Sequence, residues 1–373
     1  MQAETKHKFV FVGDVVCESK PHFSEDLQHL LESAQLRSCN FEAPLSGYGK
    51  AIDKTGPLVA QHPDSPAWLK ELRFNCFCMA NNHINDYGKE ALLKTVKSFP
   101  EDEVLGVGKE EDAYGLKIRV FNQVKYGLLA YGENGYGALN GDRKVGHAWV
   151  NAKRVNQDIL QYRKEVDVLI VQIHAGVELL DVPIPEWRER YKELIDLGVD
   201  VIVAHHPHVL QGIEEYKGKL IVYSLGNFYF DYPSNHPQWN SGGLLELDFE
   251  DKKLVNYHLH IIEKKNQEVI LRDKSFSEGI VKPLSAKIQR EDYEEYVTKK
   301  AVEEWENNHA AYYAKPFNGL SDYSLVKLLK RAKRSIFNRG IDYNLLWHNL
   351  FIESNKWLVE RAIRYKVFKK NKN

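Results

Sequence analysis

The sequence has few cysteines, no long apolar run and almost no net charge, and each absence excludes a class of protein. Its four cysteines lack the Cys-x-x-Cys spacing of structural zinc sites, and we interpret them as buried free thiols. No stretch reaches the ~18 apolar residues of a membrane-spanning helix. Residues 1–8 are too short and polar for a secretory signal. These features predict a cytoplasmic protein.

The composition is that of a globular protein. With 373 residues, 43% of them hydrophobic and 12% aromatic, the chain can bury a sizeable core, which excludes global disorder. Strand and helix patterns alternate from residue 8 to about 230 and predict an α/β fold. Helices are predicted over 24–36, 89–99 and 185–197, and a hairpin over 244–249 and 254–262. The glycine-rich segment 132–137 has neither P-loop nor dinucleotide-binding spacing, and we interpret it as a mobile loop near the expected cleft.

Three histidines, His205, His206 and His208, directly follow the apolar run 199–203. Such a run predicts a buried strand, so the histidines lie where this strand ends. Binding groups concentrate at strand ends in α/β proteins, and imidazole is the commonest metal ligand. A single histidine there is usually an ordinary loop residue. Three within four residues, with Pro207 stiffening the loop, indicate half of a metal site.

Polar residues also end four other predicted strands. They are Asp14, Glu42, the pair Asn82 and His83, and His174. Hard divalent cations favour carboxylate and amide oxygens, whereas borderline cations favour imidazole. A mixed set of this kind suits Mn, Zn or Fe in a hydrolytic centre with one or two metals. We therefore expect all of these side chains to converge on one site.

The order of these motifs between residues 8 and 231 resembles the poly-γ-glutamate capsule-synthesis family, usually called CapA. The matching blocks are Gly13-Asp14, Asn40-Phe41-Glu42-Ala43-Pro44-Leu45, Ala80-Asn81-Asn82-His83, His174-Ala175-Gly176, His205-His206-Pro207-His208 and Tyr223-Ser224-Leu225-Gly226-Asn227. The family's domain looks like a relative of the calcineurin-like metallophosphoesterases. The resemblance implies an α/β sandwich of two mixed β-sheets flanked by helices, with metals bound between sheet edges. We expect this domain to span residues 1–275 and a basic helical C-terminal extension to span 276–373.

The resemblance also implies a role for each matching residue. The implied ligands of one or two divalent transition metals (Mn, Zn or Fe) are Asp14, Glu42, Asn82, His174, His206 and His208. His83 matches the histidine that assists the leaving group, and His205 and Asp86 are further catalytic candidates beside it. The substrate-facing candidates are Asn81, Glu178, Ser224 and Asn227. For Ser224 and Asn227, the alternative is that they only close a turn.

Two departures from the family pattern bear on catalysis. Val16 stands where phosphoesterases place a histidine ligand, so one of two metals would have one ligand fewer. Ala175 replaces a tryptophan common in the capsule family, which removes an aromatic wall from the cleft. Neither position belongs to the implied ligand set. The resemblance therefore allows catalysis without requiring it.

The C-terminal region differs from the rest in charge. Residues 327–373 carry 13 Lys and Arg against three acids, a net charge of +10, so the preceding residues carry −11. Two amphipathic helices are predicted there, one around 325–336 and one over 343–368. They either pack on the catalytic domain with a solvated basic face or dock on an anionic membrane or a partner. Nucleic acid is disfavoured, because no nucleic-acid motif accompanies the charge.

Two classes of function remain. The first is a metal-dependent hydrolase of phosphoester type, or a related transfer enzyme, in capsule or cell-envelope polymer biosynthesis. The second is a non-catalytic accessory protein that binds an anionic polymer or its precursor, or a membrane-bound polymer synthase. The implied ligands favour the enzyme, whereas Val16 and the family's link to polymer assembly favour the accessory role. In either case the protein would work in the cytoplasm, with the inner face of the membrane as its expected place of action.

Overall fold

The computed structural model of the protein describes residues 6–314 and 342–368. The strands are β1 Lys6–Val16, β2 His22–Phe23, β3 Leu36–Phe41, β4 Cys76–Cys78, β5 Val104–Leu105, β6 Val107–Gly108, β7 Lys117–Phe121, β8 Val124–Gly132, β9 Gly146–His147, β10 Val168–His174, β11 Val201–His205, β12 Ile213–Tyr216, β13 Lys219–Val222, β14 Asn227–Phe230, β15 Ser241–Glu250, β16 Lys253–Lys265 and β17 Glu268–Leu271. The helices are α1 Glu25–Ser33, α2 Ser65–Glu71, α3 Gly88–Val96, α4 Glu110–Tyr114, α5 Val155–Tyr162, α6 Pro185–Asp196, α7 Lys274–Ile288, α8 Tyr293–Glu304, α9 Ala310–Ala314, α10 Tyr343–Phe351 and α11 Glu353–Phe368.

Two mixed sheets form the body of the fold. The larger has the order β2-β17-β16-β15-β1-β3-β4-β5, with β14 also pairing with β1. The smaller has the order β12-β13-β11-β10-β8-β7. Each sheet combines a parallel centre, β1-β3-β4-β5 in one and β8-β10-β11-β13 in the other, with antiparallel neighbours. The predicted fold class, a sandwich of two mixed sheets with helices, is confirmed.

The alternation of side chains along β1 explains why the sheets pack together. Phe9 and Phe11 belong to the apolar cluster that the two sheets share, whereas Val10 and Val12 belong to the cluster formed with α1, α2 and α3. Between the sheets, the Phe9 ring lies 4.6 Å from that of Tyr126, measured between centroids. Because successive strand residues point to opposite faces, one apolar strand contributes to both layers of the core.

The pairing of β1 brings polar strand ends together. Asp14 on β1 lies opposite Asn40 of β3 on one side and Asn227 of β14 on the other. The approach of β14 depends on Gly13, since a Cβ there would lie only 1.8 Å from the carbonyl oxygen of Gly226. In the smaller sheet, the last residues of β10 and β11 lie side by side. The candidate site is therefore formed by strand ends from both sheets.

Most predicted elements are confirmed. The helix predicted over 185–197 is α6, and the predicted hairpin is β15 with β16. The single helix predicted over 343–368 is instead two helices, because the chain is extended at Ile352. The helix predicted around 325–336 lies outside the described residues. Within the described ranges, no helix is both long and apolar enough to span a bilayer.

The chain divides into two compact units. The first comprises the described residues up to 52 and those from 58 to 290, and it includes α7. The second comprises residues 53–57 with the described residues from 291 onward. Helix α7 packs on β16, where the backbone N–H of Ile261 donates to the Ser277 hydroxyl at 2.9 Å. The domain boundary expected at residue 275 stays a prediction.

Candidate metal centre

Asn40 connects three of the predicted ligands. Its side-chain nitrogen lies 2.8 Å from Asp14 Oδ1, 3.3 Å from Glu42 Oε2 and 3.0 Å from His174 Nδ1. All four residues are fully buried. The carboxamide thus fixes two carboxylates and an imidazole at the edge where both sheets end.

A second group of contacts surrounds the other nitrogen of His174. Its Nε2 lies 2.9 Å from Asn82 Oδ1 and 2.9 Å from Nδ1 of His206. On the opposite side of the site, His208 Nδ1 lies 3.2 Å from Asp14 Oδ2 and 2.9 Å from Asn227 Oδ1. The six side chains predicted as ligands are therefore all brought together, although their role as ligands stays a prediction.

Glu42 lies between these two groups. Its Oε1 is 3.7 Å from Nε2 of His174 and 3.8 Å from Nε2 of His208, and it is buried with no hydrogen-bond partner. An orphaned buried carboxylate oxygen costs free energy unless something compensates it. Tetrahedral ligands 2.0–2.2 Å from a metal would lie roughly 3.3–3.6 Å apart, close to these separations. The donor set therefore fits a divalent cation.

Burial keeps three of the histidines neutral. Burial, with the neighbouring His206 next in effect, holds the pKa of His174 well below its ordinary value. Burial also lowers the pKa of His205 to about 4, although the charge of Asp14 acts to raise it. The pKa of His206 is likewise lowered to about 4 by burial, which Glu178 opposes. Neutral imidazoles retain the lone pair that a metal needs.

The two carboxylates and His208 determine one another's protonation. Burial raises the pKa of Asp14, but the hydrogen bond and charge of His208 outweigh it, so this pKa lies below its ordinary value. Burial, and then the Asp14 charge, raise the pKa of Glu42 well above its ordinary value. Burial lowers the pKa of His208, yet Glu42 and Asp14 together raise it to about 10. Binding of a cation here would displace a proton.

The loop after β11 has an unusual backbone. His206 has φ +96° and His208 has φ +58°, in the left-handed region that side chains larger than glycine rarely adopt. Such conformations cost of order 1–3 kcal/mol each and persist where the surroundings determine them. With Pro207 between them, both imidazoles turn back toward the strand ends.

His83 and Asp86 form a pair beside the centre. His83 Nδ1 lies 2.7 Å from Asp86 Oδ2, which also accepts from the backbone N–H of Val59 at 2.8 Å. The other ring nitrogen, Nε2, lies 3.9 Å from Glu42 Oε1 and so faces the ligand cluster. Asp86 thus orients the imidazole that was predicted as the proton donor. Asn81 donates to the backbone carbonyl of Phe41 at 3.0 Å from a buried position.

The remaining predicted residues occupy different surroundings. His205 is fully buried, with Nε2 3.4 Å from Gln172 Oε1 and Nδ1 3.8 Å from Asp14 Oδ1. The Ser224 hydroxyl donates to the Val209 carbonyl at 2.7 Å and accepts from the backbone N–H of Gly226 at 3.1 Å, a bond within a local turn. Glu178 is exposed at the rim, and its charge acts on His206. Asn227 donates to the Trp239 carbonyl at 2.9 Å while its oxygen faces His208.

Two polar residues of the site were not predicted as functional. Asn40 stood in a matching block, and its position two residues before Glu42, at the end of a predicted strand, was the available signal, because residues two apart in a strand share a face. Glu133 lies in the segment interpreted as a mobile loop near the cleft. It is 3% exposed, with Oε1 3.2 Å from His206 Nε2. Glu133 thus contacts a predicted ligand, but no local pattern in the sequence singled out this residue, and the mobile loop stays a prediction.

An apolar cluster occupies the His208 flank of the site. Its members are Val16, Ala43, Val59 and Phe230, with Trp239 packed against them. The ring of His208 lies 4.9 Å from Phe230 and 5.1 Å from Trp239, measured between centroids. Val16, the position at which the resemblance implies a histidine, is thus part of a hydrophobic wall. Val16 therefore contributes no metal-binding atom to this flank, where His208 lies 3.2 Å from Asp14.

Comparisons with known proteins agree with the motifs. The sequence profile of the family described as "Bacterial capsule synthesis protein PGA_cap" matches residues 5–232. "Capsule biosynthesis protein CapA" of Bacillus anthracis is 31% identical over 284 residues, which cover 72% of this chain and 65% of that protein. "PGA biosynthesis protein CapA" of Bacillus subtilis is 30% identical over 283 residues, with coverages of 69% and 67%. The match thus spans about two thirds of these relatives. Among solved structures, the 5'-nucleotidase from Candida albicans has a TM-score of 0.41 at 12% identity, covering 76% of this chain and 57% of its own.

Proposed function

Because the chain belongs to the bacterial capsule synthesis protein PGA_cap family, we propose that its site is a metal-dependent centre of phosphoester type. The proposed reaction is hydrolysis or transfer on an anionic cell-envelope polymer or its precursor. The observation that carries the proposal is the orphaned Oε1 of Glu42 within 3.7–3.9 Å of Nε2 on three histidines, His174, His208 and His83.

The residues divide into holding and reacting roles. The residues that would hold one or two ions are Asp14, Glu42, Asn82, His174, His206 and His208. A bound divalent ion supplies Lewis-acid polarisation of a phosphoryl oxygen. His83, whose Nδ1 lies 2.7 Å from Asp86, would donate a proton to the leaving group from Nε2. The exposed Glu178 at the rim would meet the substrate rather than the ion.

The apolar cluster around Val16 favours a second candidate function. That flank would hold its ion with fewer donors, and a protein with a partly filled centre can bind an anionic polymer or a polymer synthase without turnover. The two functions share one binding site and differ in whether the bound molecule reacts. We propose the enzyme as primary because the donor set converges on one point and because His83, held by Asp86, would supply the proton that a leaving group needs.

A turnover panel tests the proposal. The purified protein, loaded in turn with Mn²⁺, Zn²⁺ and Fe²⁺, is assayed on phosphomonoesters and phosphodiesters, with EDTA-treated protein as the blank. We expect metal-dependent turnover on at least one ester class, and loss of turnover in His206→Ala. The exposed His29, on α1, gives the matched control His29→Ala, which should keep it. Bound metal and tight polymer binding without turnover would instead support the accessory function.

The cytoplasmic location also stays a proposal. The four cysteines, Cys17, Cys39, Cys76 and Cys78, are buried free thiols, as expected for a protein that folds in a reducing compartment. Docking of the basic C-terminal helices on the inner face of the membrane is proposed with it. Co-sedimentation with anionic vesicles tests that surface.

A further inference from the structure

Glu133, outside the predicted ligand set, contacts one of the predicted ligands. Its Oε1 lies 3.2 Å from Nε2 of His206. The other ring nitrogen of His206, Nδ1, lies 2.9 Å from Nε2 of His174 and so faces the ligand cluster. A neutral imidazole carries one hydrogen, and a carboxylate can only accept. The contact with Glu133 therefore places that hydrogen on Nε2 and leaves the Nδ1 lone pair facing the cluster.

The backbone around Glu133 holds it in this position. Its N–H donates to the carbonyl oxygen of His174 at 3.0 Å, and its own carbonyl lies 3.1 Å from Nε2 of His147. The preceding Gly132 is closely packed, since a Cβ there would lie 2.9 Å from the Ala80 carbonyl oxygen. Glu133 thus has its main chain fixed to one predicted ligand and its side chain on another.

We propose that Glu133 is a positioning residue for the centre: it holds His206 in the Nε2–H tautomer and so orients the Nδ1 lone pair toward a divalent cation. The inference rests on the metal site of the proposed function but not on its reaction. Carboxylates that accept from the outer nitrogen of a metal-binding histidine fix its tautomer and ring orientation, and their removal typically costs 10–100-fold in metal affinity.

Two substitutions at one position separate the parts of this role. Glu133→Gln removes the charge but keeps an oxygen that can accept from Nε2–H, whereas Glu133→Leu removes the acceptor at similar volume. Glu178→Gln is the charge control, because the Glu178 charge also acts on His206 from an exposed position. Each variant is measured by calorimetric titration with Zn²⁺ and by ¹⁵N NMR of the imidazole nitrogens, with and without Zn²⁺. His206→Ala assigns the resonances.

We expect His206 to carry its proton on Nε2 in the wild-type protein, in Glu133→Gln and in Glu178→Gln. Glu133→Leu should lose this preference and bind Zn²⁺ roughly 10–100-fold more weakly, with a smaller loss for the two Gln variants. A wild-type Nδ1–H tautomer, or wild-type Zn²⁺ affinity in Glu133→Leu, would overturn the inference. Absence of phosphoester turnover would overturn the proposed reaction alone, since neither readout depends on turnover. If wild-type protein binds no Zn²⁺, the metal site and this inference fail together.

Discussion

The strand-end site buries polar side chains, whereas the C-terminal helices expose apolar ones. At the site, polar groups such as Asp14, Glu42 and His174 are fully buried and contact one another. In α10 and α11, large apolar side chains are exposed, with Phe368 at 69% and Phe351 at 50%. Burying polar groups and exposing apolar ones both cost free energy. Each region therefore has a feature that the proposals above address: binding of a cation at the site and docking on a membrane by the helices.

The difference also concerns how each region is held together. The site is formed by paired strands, in which Asp14 pairs with Asn40 on one side and Asn227 on the other, next to a register shift in each ladder. The helices α10 and α11 bury only a few apolar residues, among them Leu345, Leu358 and Val359. The site is thus formed by the two sheets themselves, whereas the C-terminal helices leave several large apolar side chains exposed.

The largest expected effect concerns His83, and it tests whether the site reacts as well as binds. His83→Ala should lower turnover by roughly 10²–10⁴-fold, the usual contribution of a general acid, while bound metal changes little. Turnover and metal content are measured on the same sample. Asp86→Asn, which keeps a polar group beside His83 Nδ1, should cause a smaller loss. Loss of metal in His83→Ala would assign His83 to the ligands instead.

A matched pair of phenylalanine substitutions compares the two regions in stability. Phe9 is fully buried between the sheets, 4.6 Å from Tyr126, and Phe9→Ala should reduce the free energy of unfolding by about 3–5 kcal/mol. Phe351→Ala, at a half-exposed position on α10, should change it by about 0.5 kcal/mol or less. Chemical denaturation measures both. A large loss in Phe351→Ala would mean that this side chain is part of a core, against the docking surface proposed here.

The C-terminal region should bind anionic vesicles. Residues 327–373 carry a net charge of +10, and each Lys or Arg near an anionic surface contributes about 1 kcal/mol. The full chain should co-sediment with vesicles containing phosphatidylserine at low salt and be released at high salt. A chain ending at Ser321 should not co-sediment with these vesicles, and neither chain should co-sediment with neutral vesicles. Equal sedimentation of both chains would place the membrane contact elsewhere.

The smallest effect is a pH dependence away from the site. On the larger sheet, Glu246 accepts from His260 at 2.9 Å and also pairs with Lys8, and these contacts lower its pKa to about 2. A depressed carboxyl pKa stabilises the fold at neutral pH, and this contribution is lost as pH falls from about 4.5 toward 2. Since Lys8 is partly exposed, solvent screening leaves roughly 1–2 kcal/mol. Glu246→Gln should show a flatter decline in melting temperature across this range, and an unchanged decline would contradict the assignment.

The convergence of the site could be predicted because it depends on strands. An apolar run that ends in Gly13-Asp14, or in His205 and His206, gives both the strand and the polar group at its end. Parallel neighbours then bring such ends to one edge. The two-sheet sandwich was predicted from the order of the matching motifs, because periodicity alone does not specify this fold. The convergence of the site and the two-sheet fold could both be predicted because the topology of the sheets determines where the strand ends meet.

Other features were outside the reach of local patterns. Glu133 reaches His206 only through the packing of β8 beside β10, which no spacing in the sequence expresses. The effect of Val16 was predicted as one ligand fewer, but the apolar cluster that surrounds it depends on Phe230, more than two hundred residues away. The break at Ile352 follows no proline or glycine, so helical periodicity continued across it. The first two depend on tertiary contacts between distant residues, and the break at Ile352 has no signal in the local sequence.

Metal binding by the intact protein tests the central claim most directly. Protein freed of metal with EDTA is titrated with Zn²⁺ by calorimetry, and crystals grown with Zn²⁺ are measured at the zinc absorption edge. The account predicts one or two ions beside Glu42, with His174 and His206 among ligands at roughly 2.0–2.2 Å, and protons released on binding. His206→Ala should bind more weakly than His29→Ala. No bound ion at millimolar Zn²⁺, or an ion held away from Glu42 and these histidines, would contradict it.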